Sequence, residues 1–162
     1  CHLRRGRWDG HDQRGFFANR FTAVSDGEKV RAVSFYTAAM NAEYSVTVIP
    51  DTSTATGDAR VISERSGVLL YAGYHTVVLD DEVPLRAGQT FSVIVGVTTP
   101  GYNFPIPLES VIKGYASPAS GPGQSFVSPD GQNWTDVTVD HPDTNVCLKA
   151  FTVDGGRGPE SP

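Results

Sequence analysis

The chain has 162 residues, 39% of them hydrophobic, and a net charge of −5. That length suits a single domain able to bury a core of its own without staples. No apolar run nears the ~20 residues needed to span a bilayer, and the acidic balance argues against a phosphate-backbone partner.

Residues 1–15 (CHLRRGRWDGHDQRG) lack periodicity and read as an irregular basic arm or linker. Residues 1–20 carry five arginines against Asp9 and Asp12, so the rest of the chain holds a charge of −8. One short basic arm is a weak nucleic-acid signal. Starting at Cys1 rather than Met, the chain reads as a processed product or a fragment.

Phe16–Val24 is expected as the first strand, with Asp26-Gly27 as a turn. Lys29–Thr37 follows, with Val33 and Phe35 on its core face and Tyr36 on the other. After a connection at Met40–Ala42, Tyr44–Ile49 alternates again, placing Tyr44, Val46 and Val48 on one face, and Pro50 ends it. Asp51–Asp58 reads as a loop and Ala59–Ser63 as a short strand. Arg65–Gly67 is expected as a turn and Val68–Tyr71 as a strand. Tyr74–Leu79 and Thr90–Val97 are two further strands, joined by a turn and a short extended piece, DDEVPLRAGQ. Pro100–Pro107 cannot be a central strand, because its prolines lack ladder donors. Val111–Tyr115 reads as an edge piece and Ser117–Gly123 as a loop. Ser125–Val127 and Trp134–Val139 flank a hairpin tip, Ser128–Asn133. Asn145–Val153 closes the domain, and residues 154–162 are a flexible tail.

Strands recur every 8–12 residues and no segment sustains a 3.6-residue apolar period. The expected fold is all-β: a single-domain antiparallel β-sandwich over residues 16–153.

Catalytic patterns are weak. No G-x-S-x-G elbow is present. Cys147 sits among apolar neighbours in an alternating strand, where a buried structural thiol is the default and a thiolate is suppressed. A disulfide between Cys1 and Cys147 is an alternative that neither count nor spacing demands. His2, His11, His75 and His141 lack metal-ligand spacing. Asp80, Asp81 and Glu82, with Asp140 and Asp143, leave a calcium ion open as a cofactor, although neither group matches an EF-hand loop. The expectation is therefore no enzyme and no required cofactor.

Binding is the better-supported class. Tyr74, Tyr102 and Trp134 lie at strand ends or in loops, two of them beside glycines. An aromatic ring beside small residues offers a flat face on which a sugar can stack, with nearby polar groups orienting it. Asn103, Asp130 and Asn133 are the polar residues expected to do so. Tyr74, Tyr102, Asn103, Asp130, Asn133 and Trp134 therefore form the candidate ligand set.

Several segments in order carry a family resemblance. They include Arg31-Ala-Val-Ser-Phe-Tyr-Thr, Ala72-Gly-Tyr-His-Thr-Val, Val83-Pro-Leu-Arg-Ala-Gly-Gln-Thr-Phe-Ser-Val and Pro100-Gly-Tyr-Asn-Phe-Pro-Ile-Pro-Leu-Glu. The closing pieces are Gly123-Gln-Ser-Phe-Val-Ser-Pro-Asp-Gly-Gln-Asn-Trp-Thr-Asp and Asn145-Val-Cys-Leu-Lys-Ala-Phe-Thr. Together they resemble the lectin-like domain that follows a papain-like cysteine peptidase domain in secreted and surface proteins of bacteria and archaea. The resemblance implies a sandwich of jelly-roll, lectin-like form, a secreted or cell-surface location and a neighbouring peptidase domain. With the aromatic and polar residues above, the expectation is a non-catalytic accessory module that binds a carbohydrate or cell-surface polymer, the alternative being a module that packs on or spaces the peptidase domain. The peptidase's catalytic set has no counterpart in this chain.

Overall fold

Alternating apolar residues, rather than helical periods, govern the fold. The structure is a computed structural model that describes residues 13–51, 63–110 and 121–154. In chain order its strands are β1 (Arg14–Thr22), β2 (Glu28–Thr37), β3 (Ala42–Pro50), β4 (Ser63–Leu69), β5 (Gly73–Pro84) and β6 (Thr90–Thr98). They continue as β7 (Leu108–Ser110), β8 (Ser125–Ser128), β9 (Thr135–Asp136), β10 (Thr144–Val146) and β11 (Leu148–Asp154), with one helical turn, α1 (Val137–Asp140), after β9.

Two sheets face each other. One has six strands in the order β4-β3-β6-β1-β8-β9; the other has three, β11-β2-β5. A two-stranded pair, β10-β7, accompanies them. All the strand pairs are antiparallel. The expected all-β sandwich is the fold observed.

The core lies between the sheets. Phe17, Val46, Val48, Val93 and Val95 come from the larger sheet, and Val33, Phe35, Val77, Leu79 and Val83 from the smaller. Phe35 meets Phe17 edge-on at 6.3 Å and Tyr44 at 5.8 Å, so one ring ties both layers together. Val33 and Phe35 are fully buried and Tyr36 lies on the opposite face, as the alternation requires. A register shift between Val30 and Ala32 leaves Arg31 exposed while Val30 is fully buried.

Five sequence expectations are corrected. Asp80–Pro84, expected in the connection after Leu79, continues β5, with Val83 paired to Val30 and Pro84 to Lys29. Arg65–Gly67 is not a turn; it lies within β4, paired with Tyr44–Val46. Turn-prone Ser and Gly are admitted because β4 is an edge strand whose outward residues face solvent, and because Gly67 lets the Tyr44 ring lie against it. The strand expected over Trp134–Val139 stops at Asp136, whose side chain accepts from the Thr138 amide and caps α1. Asn145–Val153 is two strands in different sheets, divided at Cys147, whose amide donates to the Pro107 carbonyl at 3.1 Å. The buried free thiol expected at Cys147 is a disulfide-bonded cysteine. The strand ends over Ala59–Ile62, the edge piece at Val111–Tyr115 and most of the arm lie outside the described residues.

Candidate ligand-binding surface

Strand pairing sends the functional segments to one end of the sandwich. Arg14 pairs with Thr98, Thr98 with Glu43, Ala42 with Leu69, and Thr37 with Gly73. The β2–β3 and β4–β5 turns, the loop after β6 and the tip between β8 and β9 therefore share that end.

The loop after β6 begins as a tight turn. The Tyr102 amide donates to the Thr99 carbonyl at 3.1 Å across Pro100 and Gly101, and Gly101 has φ 74°, the pattern of a type II turn. The Thr99 hydroxyl lies 2.7 Å from the Tyr102 carbonyl and closes the turn from inside. Tyr102 and Phe104 then pack edge to face at 5.8 Å, both partly buried, while Asn103 between them is exposed. Downstream, Pro105 and Ile106 press on Gly15 so closely that a Cβ there would lie within 2.9 Å of both. The loop is thus seated on the inward face of β1.

The tip lies on the outward face of β1. Gly131, with φ 75°, passes over the ring of Phe16, and the Arg14 guanidinium covers that ring at 4.9 Å. Asp130 organises the tip. Its Oδ1 accepts from the Gln132 and Asn133 amides, each at 2.8 Å, and from the Ser128 hydroxyl at 2.9 Å. Its Oδ2 accepts from the Asn133 side-chain amide at 2.6 Å. These bonds hold its carboxyl well below the usual carboxylate range, the Asn133 and Gln132 amides first among them. Trp134 follows, partly buried.

The sequence-predicted set is therefore divided. Tyr102 and Asn103 sit in the loop on one side of β1, and Asp130, Asn133 and Trp134 in the tip on the other. Asp130 and Asn133 bond each other and build the turn.

Tyr74 is placed elsewhere, on the outer face of the three-stranded sheet. Its hydroxyl donates to Glu109 Oε1 at 3.0 Å, Tyr36 meets its ring edge-on at 5.6 Å, and the Lys149 ammonium lies 6.0 Å from the ring centre. Burial, then the charge and hydrogen bond of Glu109, push its phenol up to about 12. Half of the ring remains accessible. Because Glu109 ends the segment that begins at Pro100, this bond ties the loop to the sheet face. Sequence alone does not single out Tyr36 or Lys149 for this surface. The alternation of β2 and β11 carried the signal, but pairing Lys149 with Ser34 and Ser34 with Thr76 needs the register.

Cys147 is buried and disulfide-bonded, which removes it as a nucleophile, and His75 Nε2 is 2.7 Å from the Tyr71 carbonyl. Among the described residues no three His, Cys, Asp or Glu side chains gather to hold a metal, and Asp80 pairs with Arg65. No helix is long and apolar enough to cross a membrane among the described residues.

Solved structures share the fold. A clostridial cysteine protease, Cwp84 after propeptide cleavage, superposes with a TM-score of 0.69 at 22% identity, covering 88% of this chain and 36% of that one. The cysteine protease and lectin-like domains of Cwp84, a surface-layer-associated protein of Clostridium difficile, give 0.68 at 22% identity over 88% and 32%. This chain thus spans about a third of the length of those proteins. No curated protein matches the sequence significantly. The family model for the lectin-like domain matches residues 6–152, nearly the whole chain, and the protein belongs to that family.

Proposed function

We propose that this domain is a non-catalytic accessory module of a secreted or cell-surface protein, and that it binds a carbohydrate or a cell-surface polymer. The Tyr74–Glu109 pair carries this reading. A half-exposed ring is braced by Tyr36, and its hydroxyl is anchored to the Glu109 carboxylate. A sugar needs that combination: a rigid apolar face for its C–H side and a fixed polar group beside it. Calorimetric titration against a broad glycan panel is expected to give at least one binder, weakened about tenfold by Tyr74→Ala, an aromatic contact's worth. A folded sample that binds no glycan in the panel sinks the reading. We assign no cofactor to the binding, so calcium and EDTA are expected to leave the titration unchanged.

A second reading is a module that packs on, or spaces, an adjacent cysteine peptidase domain. Met40 and Leu70, each 58% exposed, and Tyr71, 68% exposed, support it. The Asn41 amide donates to the Leu70 carbonyl and joins their two turns into one apolar end, and such exposed patches commonly mark protein contacts. The two-domain organisation of the Cwp84 chain gives it a natural partner. Leu70→Ser with Tyr71→Ser is expected to abolish co-purification with such a peptidase domain; unchanged co-purification removes this end from the interface.

A further inference from the structure

The outer face of the three-stranded sheet has a shape that its strand register dictates. Its middle strand, β2, presents small residues: Ala32 and Ser34 are 8% and 7% exposed. The flanking strands present large ones. β5 contributes Tyr74 and Val78, and β11 contributes Lys149 and Phe151. A floor of small side chains between two rows of larger ones is a trough running along β2. Tyr36 and Tyr74 stand at one end, and Phe151, Ala32 and Val78 form the row at the other. Tyr74 and Phe151 are 47% and 48% exposed. They sit on opposite edges, four residues apart along the strands. With strands ~4.8 Å apart and a rise of ~3.4 Å per residue, their Cα atoms are roughly 17 Å apart on the diagonal.

Between the two rings the trough is polar. The Ser34 hydroxyl is 3.0 Å from the His75 carbonyl and 2.8 Å from Thr76 Oγ1. Ser34 has one proton. Donated to the carbonyl, it leaves Thr76, an exposed residue, to donate to Ser34, and the Thr76 oxygen keeps lone pairs for an incoming hydroxyl. The Lys149 side chain reaches from β11 across β2, its ammonium 6.0 Å from the Tyr74 ring centre, and supplies donors at that end of the trough. Two separated aromatic platforms with hydroxyl and ammonium groups between them match a ligand that alternates C–H faces with hydroxyls. A protein interface core would instead gather its apolar groups together. The net charge of −5 disfavours a polyanion.

We propose that this trough binds an extended neutral polysaccharide lying along β2, with one sugar ring on Tyr74, another on Phe151, and intervening hydroxyls on Thr76 and Lys149. This rests on the carbohydrate reading above and gives it a surface, a direction and a ligand length.

The test uses soluble neutral polysaccharides (a β-glucan, a xylan and a mannan) and a size-graded set of oligomers from each. Affinity electrophoresis and calorimetry are run on the wild type, Tyr74→Ala, Phe151→Ala, Thr76→Val and, as a comparison, Tyr102→Ala with Trp134→Ala. Thermal unfolding checks that each variant is folded. At least one polysaccharide is expected to bind, with affinity rising with oligomer length. Tyr74→Ala and Phe151→Ala should each weaken it roughly tenfold, and Thr76→Val by a smaller factor. If a monosaccharide binds as well as the polymer, the extended site is overturned. If only the Tyr102/Trp134 variant loses binding, the trough is wrong while carbohydrate binding stands. Should the wild type bind none of these polymers but bind another glycan, the neutral-polymer assignment falls alone. If it binds no glycan of any kind, both readings fall, and loss of a protein contact on Phe151→Ala would reassign the face.

Discussion

Asp130 shows how one side chain can hold a loop and set its pH response. Its carboxylate receives two backbone amides, the Ser128 hydroxyl and the Asn133 side chain. These bonds favour the charged form, so the folded-state pKa is depressed. The stabilisation is fully present above the unfolded value, about 3.9 for Asp, and is lost as pH falls toward the folded one. Glu28 is depressed too, through bonds from Thr152 and Val24, and adds in the same direction. The urea midpoint is therefore expected to drop between about pH 5 and pH 3. Asp130→Asn should lower the midpoint at pH 7 and flatten that drop, because the charge that acid would remove is already gone. A variant as acid-sensitive as the wild type would refute this role. The sequence identified Asp130 and Asn133 as residue types suited to a ligand. It could not show that each satisfies the other, because an Asx turn and a sugar site draw on the same side chains.

At the scale of elements, the contact between β1 and the loop after β6 decides where Tyr102 and Asn103 stand. Gly15 has no Cβ, and Ile106 and Pro105 occupy the space one would fill, at 2.8 and 2.9 Å. Both loop residues are held from the other side as well, since Pro105 is buried and Ile106 packs on the core. Gly15→Ala must then push the loop outward or strain β1, at a cost of about 1–3 kcal/mol. The expected result is a lowered urea midpoint together with shifted amide resonances in residues 100–107. A variant with wild-type stability and an unmoved loop would show that the seat is loose. Strand alternation made most elements legible: the core faces of β2 and β3 followed from Val33, Phe35, Val46 and Val48 alone. The misread elements are those in which partners override local preference. Arg65–Gly67 has turn composition, yet it extends along β3 because the edge of the sheet offers it a full ladder. Asn145–Val153 alternates like one strand, and only the Pro107 carbonyl at Cys147 shows where it leaves one sheet for another.

For the whole molecule, stability and binding should separate cleanly, because the layer that holds the sandwich together is not the face that meets solvent. Phe35 is fully buried and touches aromatic rings from two strands of the opposite sheet. Phe151, in the same small sheet, is nearly half exposed on the outer face. Removing a buried phenylalanine forfeits its transfer free energy and leaves a cavity that its neighbours fill only in part, so Phe35→Ala should cost about 3–5 kcal/mol. Truncating an exposed ring makes no cavity, and Phe151→Ala should change stability by no more than about 0.5 kcal/mol. Since Phe35 joins both sheets, its loss should move their unfolding together: Tyr fluorescence and far-ultraviolet circular dichroism should shift to one lower, coincident midpoint. Two separated transitions in Phe35→Ala would mean that the sheets unfold independently. If Phe151→Ala were as destabilising as Phe35→Ala, the outer face would be part of the scaffold, and any loss of glycan binding in that variant would follow from unfolding rather than from a missing platform.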